Sequence, residues 1–281
     1  MELWPGASLA GAAMSEEAVL SERHAGVLLV TLNRPEALNS LTLDMDARYR
    51  QVLAAAEADP EIRAVVVTGA GRAFCAGADL AALEALAEDP ERPHFGAAFR
   101  TPLTFSKPLI AAINGGCVGL GLVTALCCDV RFVADEAKLG TAFAQRGVVA
   151  EHGLSVLLSR LAGVGTAMDL LLSGRIVRGP EAVRLGLATR SVPREEVVRT
   201  ALEYAGEIAR NCSPASVPVI KKQVQESFLG EFHRAADNAE PLLRAAFRHP
   251  DYAEGIRSYR EKRSPRFAGY ARGAGERAPW N

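Results

Sequence analysis

The feature that most constrains this chain is an uncharged stretch of 21 residues at positions 108–128. A helix of that length could cross a bilayer. The stretch, however, starts with a proline and carries Asn114 and four glycines in its middle, where they interrupt a helix. The pattern therefore predicts a buried strand, a glycine-rich loop and a buried helix, and no membrane span.

The rest of the chain alternates between the two regular structures before becoming mainly helical. Apolar runs predict strands at 26–33, 63–68, 109–114, 129–134, 138–141 and 189–192. Periodicity and end signals predict helices at 42–57, 82–89, 119–128, 153–161, 165–172, 180–185, 194–210, 214–228, 233–247 and 250–262. Polar residues and breakers at 89–97 predict a mobile surface loop. The order indicates an α/β fold with a helical C-terminal module.

The composition limits the classes of binding partner more than it limits the possible folds. Lys and Arg number 32 and Asp and Glu 33, a net charge of −1, which does not favour nucleic acid or an anionic membrane as partner. The five cysteines are odd in number and form no C-x-x-C motif, which favours reduced thiols and a cytoplasmic location. Residues 1–13 lack the basic start of a secretory signal, and Met14 is an alternative first residue.

Several common chemistries lack their signatures. The runs at 69–74 and 119–124 have Phe and Thr where a dinucleotide-binding loop needs its third glycine. No Walker A lysine and no G-x-S-x-G elbow occurs, and the five histidines are scattered without metal-ligand spacing. We therefore expect no metal site and no nucleotide cofactor, so a nucleotide-dependent oxidoreductase is disfavoured.

Two strand-to-helix turns, at 75–79 and 115–121, consist almost entirely of small residues. The first N–H groups of a helix have no partner within the helix, and small side chains let a ligand approach them. Two converging N–H groups would form an oxyanion hole for a developing enolate. Alternatively, the glycines serve only close packing of strand on helix.

The runs at 33–39, 73–80, 107–115 and 128–129 resemble the enoyl-CoA hydratase/isomerase (crotonase) family in order and spacing, over about residues 18–268. The resemblance implies a crotonase-like spiral core of ββα units at 15–205 and a helical trimerisation module at 206–281. A flexible extension would occupy 1–14. It also implies a homotrimer, or a hexamer built as a dimer of trimers, and an acyl-CoA substrate whose CoA is not a separate cofactor.

The resemblance also assigns residues to the site. The two N–H donors to the thioester oxygen fall on Ala78 and Leu120. Contacts to CoA fall on Glu36, Ala37, Leu38, Ala76, Ala78 and Leu80; Glu36 departs from the usual Lys or Arg, which puts a phosphate contact there in doubt. A basic tail resembles the segment that closes over CoA, unless it is simply a solvated helix face; it comprises Arg257, Tyr259, Arg260, Lys262, Arg263, Arg266 and Phe267.

The acids are where this chain departs from the family. The hydratases hold one water between two glutamates, and those positions carry Val123 and Phe143 here, which can line the substrate but cannot move a proton. Glu151 occupies a position that is an aspartate in the family's dienoyl-CoA isomerases. Before an apolar helix, its pKa could be raised for proton transfer, or it could cap that helix. His152 is the other candidate base, with a structural role expected, and helix-cap and structural roles are expected for Asp79 and Asp129.

A single carboxylate suits relocation of a proton, and hence isomerisation, better than addition of water. Hydration with Glu151 as the only acid and base stays an alternative. So does a protein that binds acyl-CoA with little or no turnover.

Overall fold

The computed structural model describes residues 18–95, 101–227 and 229–267. The predicted extension at 1–14 lies outside these ranges. The strands are β1 (Val19–His24), β2 (Val27–Leu32), β3 (Ala64–Gly69), β4 (Ala73–Cys75), β5 (Leu109–Ile113), β6 (Gly116–Val118), β7 (Val130–Ala134), β8 (Lys138–Gly140), β9 (Val177–Arg178) and β10 (Arg190–Val192). The helices are α1 (Leu43–Ala58), α2 (Leu80–Glu88), α3 (Thr101–Thr104), α4 (Leu120–Leu126), α5 (Leu154–Ala162), α6 (Val164–Ser173), α7 (Gly179–Arg184), α8 (Arg194–Asn211), α9 (Ser216–Glu226), α10 (Leu229–Arg248) and α11 (Pro250–Arg260).

Two sheets form the core. The larger has the order β1-β2-β3-β5-β7-β10, with β1 antiparallel to β2 and every other pair parallel. The smaller has the order β4-β6-β8-β9, with only β9 antiparallel. Every residue of β3 and β5 is buried, as expected for parallel strands covered on both faces. Helix α8 packs across β2, β3, β5 and β7.

The two sheets arise from one repeated unit. Strand β3 continues into β4 and then α2, β5 into β6 and then α4, and β7 into β8 and then α5. Each unit thus gives one strand to each sheet and one helix. This is the ββα spiral of the crotonase fold, and it places the turns before α2 and α4 next to each other because β4 pairs with β6.

Several details differ from the sequence-based prediction. Strand β1 was not predicted, because its residues VLSERH are mostly exposed and lack an apolar face. Strand β6 lies in a segment predicted to be a turn, strand β4 begins before the other predicted turn where no strand was predicted, and β9 has only two residues. In the loop at 89–97, predicted to be a polar surface segment, the side chain of His94 is only 6% exposed and Phe95 is buried. The rings of His94 and Phe247 pack in a T-shaped arrangement, 5.5 Å between ring centres.

The C-terminal helices contact elements of the predicted core, and the predicted boundary at 205–206 lies within α8. Helix α8 passes without a break through 205 and 206, so a boundary at that point falls inside a helix. Helices α10 and α11 contact α2 and α10 also contacts α5. The division into core and module stays a prediction, with the end of α8 a better boundary than 205.

The uncharged stretch at 108–128 forms β5, the loop with β6, and α4, as predicted. Within the described ranges, no helix combines the length and apolarity needed to cross a membrane.

Close backbone approach makes a testable demand on one glycine. A Cβ built on Gly115 would lie 2.1 Å from the carbonyl oxygen of Arg72, whereas one on Gly165 in α6 would meet nothing within 4 Å. We expect Gly115→Ala to lower the free energy of unfolding by about 2–3 kcal/mol or more. Gly165→Ala should raise it by about 0.5–1 kcal/mol, since alanine is the better helix former. Urea unfolding of both variants measures this, and equal midpoints would contradict the packing described here.

Candidate active site

Asn39 ties the segment after β2 to the turn after β3. Its Nδ2 donates to the carbonyl oxygens of Ala70 (2.9 Å) and Ala73 (2.8 Å), and its Oδ1 accepts from the N–H of Arg34 (2.8 Å). The side chain is fully buried and its φ is +56°. Asparagine tolerates this left-handed conformation better than most residues. The resulting bonds hold the 33–40 segment against the start of β4.

Asn114 does the same at the neighbouring strand end. Its Nδ2 donates to the carbonyl oxygens of Gly69 (2.7 Å) and Gly71 (3.0 Å), and its Oδ1 accepts from the N–H of Gly69 (3.3 Å). The buried carbonyls of this turn are therefore paired, as buried backbone groups must be. The ends of β3 and β5 are thereby fixed relative to each other.

The N–H of Ala78 is left outside the local pairing. Leu41 forms a parallel bridge with Ala78, in which its N–H donates to Gly77 O (2.7 Å) and its carbonyl accepts from Asp79 N (2.9 Å). In such a bridge the middle residue of the partner segment points its own N–H and C=O to the opposite side. Ala78 therefore directs its N–H away from Leu41.

Asp79 acts as a cap and an ion-pair partner, which confirms the predicted helix-cap role. Its Oδ1 accepts from the N–H of Ala81 in the first turn of α2 (3.1 Å). Its Oδ2 pairs with the guanidinium of Arg34 (3.1 Å) and accepts from Ser40 Oγ (3.2 Å). These contacts lock the turn that carries Ala78.

The N-terminus of α4 rests on β4 without room for a side chain. A Cβ on Gly121 would lie 2.1 Å from the carbonyl oxygen of Cys75, so only glycine fits. Gly119, at φ +54°, starts α4 without a side-chain cap, and Leu120 is the first helical residue. A Cβ on Gly77 would lie 3.8 Å from Leu120 N, so the first turn of α4 adjoins the 77–78 peptide.

The two predicted donors therefore lie on neighbouring turns. Among the backbone hydrogen bonds found in the described ranges, neither Ala78 N nor Leu120 N donates to a protein acceptor. The N–H of Ala76 donates to Leu38 O (3.0 Å), which brings the predicted CoA-contacting segments together. Beside them, Pro35–Ala37 forms a single 3-10 turn with Glu36 exposed.

The positions of the family's two acids are filled with packed apolar side chains. Val123, in the middle of α4, is 0% exposed, and Phe143, after β8, is 5% exposed. Both belong to the main hydrophobic core. Neither residue can hold or transfer a proton.

Glu151 is the carboxylate that the structure offers instead. Its side chain is 15% exposed. Desolvation, with a smaller contribution from the negative charge of Glu240, raises its pKa to about 8. The capping alternative is wrong: α5 begins after Gly153 with no side-chain cap, and Leu154 N donates to the backbone carbonyl of Glu151 (3.0 Å).

His152 lies beside Glu151, with its Nε2 3.5 Å from a carboxylate oxygen. The histidine is buried and its φ is +51°, a left-handed conformation that few non-glycine residues adopt. The tight turn between 147 and 153 therefore determines the position of His152. A role for His152 as the catalytic base stays a prediction, and no contact described here favours it.

An apolar cluster lies beside Glu151 and α2. Tyr252 is buried there, its hydroxyl donates to Leu83 O (2.9 Å), and burial together with the Glu151 charge raises its pKa. Because Leu83 is one turn into the helix that starts after Ala78, Tyr252 connects the Glu151 side of the site to the oxyanion side. The cluster comprises Leu80, Leu83, Leu86, Ala87, Val148, Val149, Leu243, Phe247, Tyr252 and Ile256.

Three glycines seat the C-terminal helices on the segment that carries Glu151. A Cβ on Gly153 would lie 2.4 Å from the ring of Phe232 in α10. A Cβ on Gly147 would lie 2.6 Å from the first turn of α11, and one on Gly255 would lie 2.6 Å from the backbone of Arg146. The position of Glu151 thus depends on helices about 80 to 110 residues further along the chain.

The basic tail is divided between internal ion pairs and unpaired cations. Arg257 and Arg263 both bind Glu254, at 2.5 and 2.6 Å, and Arg260 lies 3.3 Å from Glu84 in α2. These three arginines, expected from the resemblance to face CoA, instead neutralise carboxylates of the chain itself. The side-chain hydrogen bonds from Arg263 and Arg257, with the backbone N–H of Arg266, hold the pKa of Glu254 well below its usual range.

The other tail residues are exposed. Lys262 and Arg266 have no acidic side-chain partner among the described residues, and Phe267 is 38% exposed. The guanidinium of Arg146 stacks on the ring of Tyr259 at 4.0 Å, so this ring is engaged within the chain.

In the described part of the chain, neither the surface cavities nor the metal-ligating side chains indicate a second candidate site. Three surface cavities of about 490, 420 and 670 Å³ lie elsewhere, and none is lined by Ala78, Leu120 or Glu151. In the part of the chain that the structure describes, no group of three His, Cys, Asp or Glu side chains could hold a metal ion. Asp129 accepts from Leu109 N and pairs with Lys221 (both 2.8 Å), which confirms its structural role.

Four residues of the site were not assigned roles from the sequence. Asn39 and Asn114 lie in the motif runs, where an asparagine beside a glycine-rich turn was the available signal. Tyr252 and Glu254 carried none, because their partners lie far away in the sequence or in a tail without periodicity.

Comparison with known proteins shows which family the sequence resembles over its length. The sequence profile described as enoyl-CoA hydratase/isomerase matches residues 22–270. The 1,2-epoxyphenylacetyl-CoA isomerase of Escherichia coli is 34% identical over 261 residues, which cover 90% of this chain and 99% of that protein.

Solved structures show the same likeness. An enoyl-CoA hydratase from Mycobacterium marinum is 47% identical with a TM-score of 0.64, covering 74% of this chain and 97% of that one. An enoyl-CoA hydratase/isomerase from Pseudoalteromonas atlantica is 28% identical with a TM-score of 0.81, covering 89% and 100%. The chain is similar to such proteins over most of its length.

The raised pKa of Glu151 makes stability depend on pH. The folded state holds this proton up to about pH 8, whereas the unfolded side chain releases it near 4.5. Stability contributed by the neutral acid is therefore present at low pH and is lost as pH rises between these values. Between pH 5 and 8, the free energy of unfolding of the wild type should fall by on the order of 3 kcal/mol relative to that of Glu151→Gln, because glutamine cannot ionise.

Chemical denaturation across this pH range measures the difference. Glu231→Gln is the matched control, because Glu231 is an exposed glutamate of α10 paired with Arg160 and its pKa is lowered, not raised. Parallel stability profiles for wild type and Glu151→Gln would show that Glu151 is not desolvated as described.

Proposed function

The chain belongs to the enoyl-CoA hydratase/isomerase family and is an enzyme of that type, and from this premise we propose how it acts on an unsaturated acyl-CoA. The thioester enolate is held by the backbone N–H groups of Ala78 and Leu120, and Glu151 moves the proton. The observation that carries the proposal is that these two N–H groups lie on neighbouring turns and have no protein acceptor among the described residues.

The two N–H groups suit the charge that develops during the reaction. Removal of a proton next to a thioester, or conjugated with it, transfers negative charge to the carbonyl oxygen. Donors fixed before the reaction stabilise this charge without reorganising. Asn39, Asn114 and the Arg34–Asp79 pair supply the rigidity, because each of them binds one of the two turns or a segment next to them.

Glu151 supplies one group that can both accept and donate a proton. As a carboxylate it takes a proton from carbon, leaving the electron pair in the dienolate. As a carboxylic acid it returns that proton to another carbon of the conjugated system, so the double bond shifts and no atom is gained or lost. A pKa near 8 favours a group that serves in both roles near neutral pH.

Isomerisation fits these groups better than hydration. The hydratases' pair of glutamates is replaced by Val123 and Phe143, both buried in the core. Glu240, the other carboxylate that influences Glu151, is engaged with His94 (3.2 Å) and Arg244 (3.0 Å). Hydration with Glu151 positioning a single water is the alternative reaction.

The surroundings suggest where each part of the substrate lies. The apolar cluster between α2, α10 and α11 suits an acyl chain. The 36–38 segment, Ala76 and Leu80 would contact the pantetheine and nucleotide, with Lys262, Arg266 and Phe267 closing from the tail. We propose no cofactor beyond the CoA of the substrate, and a cytoplasmic location, since all five cysteines are free.

Replacing the proposed acid tests the mechanism. We expect Glu151→Gln to lower kcat for isomerisation of a 3-enoyl-CoA or dienoyl-CoA by a factor of about 10²–10⁴ with little change in KM, because glutamine keeps the shape and loses the proton. Diene absorbance or chromatography of the products measures it, with Glu231→Gln as the control.

The same assay separates the alternatives. Hydration of crotonyl-CoA at rates that survive Glu151→Gln would contradict the role of Glu151. Acyl-CoA binding by wild type without turnover of any enoyl or dienoyl thioester would indicate the binding protein instead of the enzyme.

We also propose a homotrimer, alone or paired into a hexamer. Helix α6 exposes an apolar stripe that no described residue covers, with Leu172 73% exposed and Met168 and Val164 one and two turns before it. Helix α9 buries none of its residues and exposes Val219, Ile220 and Val224. Unpartnered apolar faces of this kind mark surfaces between subunits.

Light scattering coupled to gel filtration tests the assembly. We expect a mass three or six times that of the 29.9 kDa chain, and a smaller mass for Leu172→Asp because a carboxylate in an apolar interface has no partner. Leu43→Asp is the control, since Leu43 is exposed in the first turn of α1, where an acid is tolerated. A monomeric wild type would contradict the proposal.

A further inference from the structure

One buried carboxylate accepts hydrogen bonds from α11 and from the turn that follows this helix. Glu254 accepts from Arg257 Nε (3.0 Å) and Nη2 (2.5 Å), from Arg263 Nη1 (2.6 Å) and Nη2 (3.1 Å), and from the backbone N–H of Arg266 (2.7 Å). Its side chain is only 7% exposed. Paired hydrogen bonds from a guanidinium fork to a carboxylate are both strong and directional.

We call this set of hydrogen bonds to Glu254 the clamp, and the backbone conformation after α11 is consistent with it. Helix α11 ends as Lys262 N donates to Tyr259 O (3.1 Å) and Arg263 N to Ser258 O (3.0 Å). Lys262 itself adopts a left-handed conformation, with φ at +54°. The helix therefore ends in a turn at Lys262. The residues after this turn are bound to Glu254 through the side chain of Arg263 and the backbone N–H of Arg266.

The cations of the tail fall into two groups, those paired with carboxylates of the chain and those that are exposed. Arg257 and Arg263 are neutralised by Glu254, and Arg260 is paired with Glu84. Lys262 and Arg266 are exposed, and no acidic side chain among the described residues pairs with them. The turn thus presents two exposed positive side chains on a backbone that Glu254 holds through Arg263 and the N–H of Arg266.

The turn is attached to the elements that carry the proposed chemistry. Gly255, next to Glu254, packs on the backbone of Arg146, five residues before Glu151. Arg260 reaches Glu84 in α2, the helix that starts after Ala78. Two cations fixed at this place would meet an anionic part of a ligand whose reactive part lies between Ala78 and Glu151.

We propose that Glu254 is a positioning residue that holds the 261–267 turn so that Lys262 and Arg266 bind the phosphates of the CoA nucleotide. The proposal rests on the function proposed above, because it takes the ligand to be an acyl-CoA. Glu254 itself does not touch the substrate.

The experiment compares two thioesters of the same acyl group. One is the CoA ester, and the other is the N-acetylcysteamine ester, which carries the reactive end and no phosphate. In Glu254→Gln the ratio of kcat/KM for the CoA ester to that for the short ester should fall about tenfold, mainly through KM for the CoA ester. A merely structural role would lower both values alike and leave the ratio unchanged.

Further variants keep the test independent of folding. The double variant Lys262→Ala with Arg266→Ala changes only exposed side chains and should lower the ratio as much as Glu254→Gln. Combining all three substitutions should lower it no further. Glu261→Gln is the matched control, because Glu261 also binds Arg263 (2.5 Å) but is exposed, and its ratio should stay at the wild-type value.

The outcomes separate this proposal from the proposed function. A wild-type ratio in Glu254→Gln, or in the double variant, overturns the positioning role while turnover of both esters continues. Failure of the wild-type enzyme to turn over either ester would count against the proposed function instead.

Discussion

The close approach of α4 to β4 is the constraint on which the rest of the site depends. Gly121 sits on the carbonyl oxygen of Cys75 with no space for a methyl group. Because β4 and β6 pair in parallel, the turns that follow these strands lie side by side. Within the described ranges, neither Ala78 N nor Leu120 N donates to a protein acceptor. A larger residue at 121 would separate the two turns. The small residues of these two turns thus have a physical cause in the close approach of helix and strand.

The proposed acid depends on a different part of the molecule. Glu151 becomes desolvated because α10 and α11 dock on its segment through Gly147, Gly153 and Gly255. The C-terminal helices therefore set the protonation of the acid as well as shaping the apolar cluster beside it. Chemistry and C-terminal packing are coupled, so weakening the docking of α10 should alter the pKa of Glu151 before it alters the oxyanion turns.

Much of the fold could be predicted because its signals are local. Strands β3 and β5 are continuous apolar runs, and the turns are marked by glycine and asparagine. Strand β1 escaped prediction because its side chains are polar and its pairing with β2 alone makes it a strand. In the site, the assignment of the two donors to Ala78 and Leu120 came from the family resemblance, since spacing alone left close packing of strand on helix as an alternative. The burial of Glu151 did not, nor did the clamp at Glu254 that takes up Arg257 and Arg263, because these depend on tertiary contacts that leave no pattern in the sequence.

The central claim is that two backbone N–H groups polarise the thioester carbonyl. The most direct test is the infrared stretch of a ¹³C-labelled carbonyl in a saturated acyl-CoA bound to the enzyme, compared with the same thioester in water. Two fixed donors on one oxygen lengthen the C=O bond. We expect a shift to lower frequency on binding, one that diminishes in Gly121→Ala, where α4 must move away from β4. An unshifted carbonyl band in the fully bound wild-type complex would contradict it.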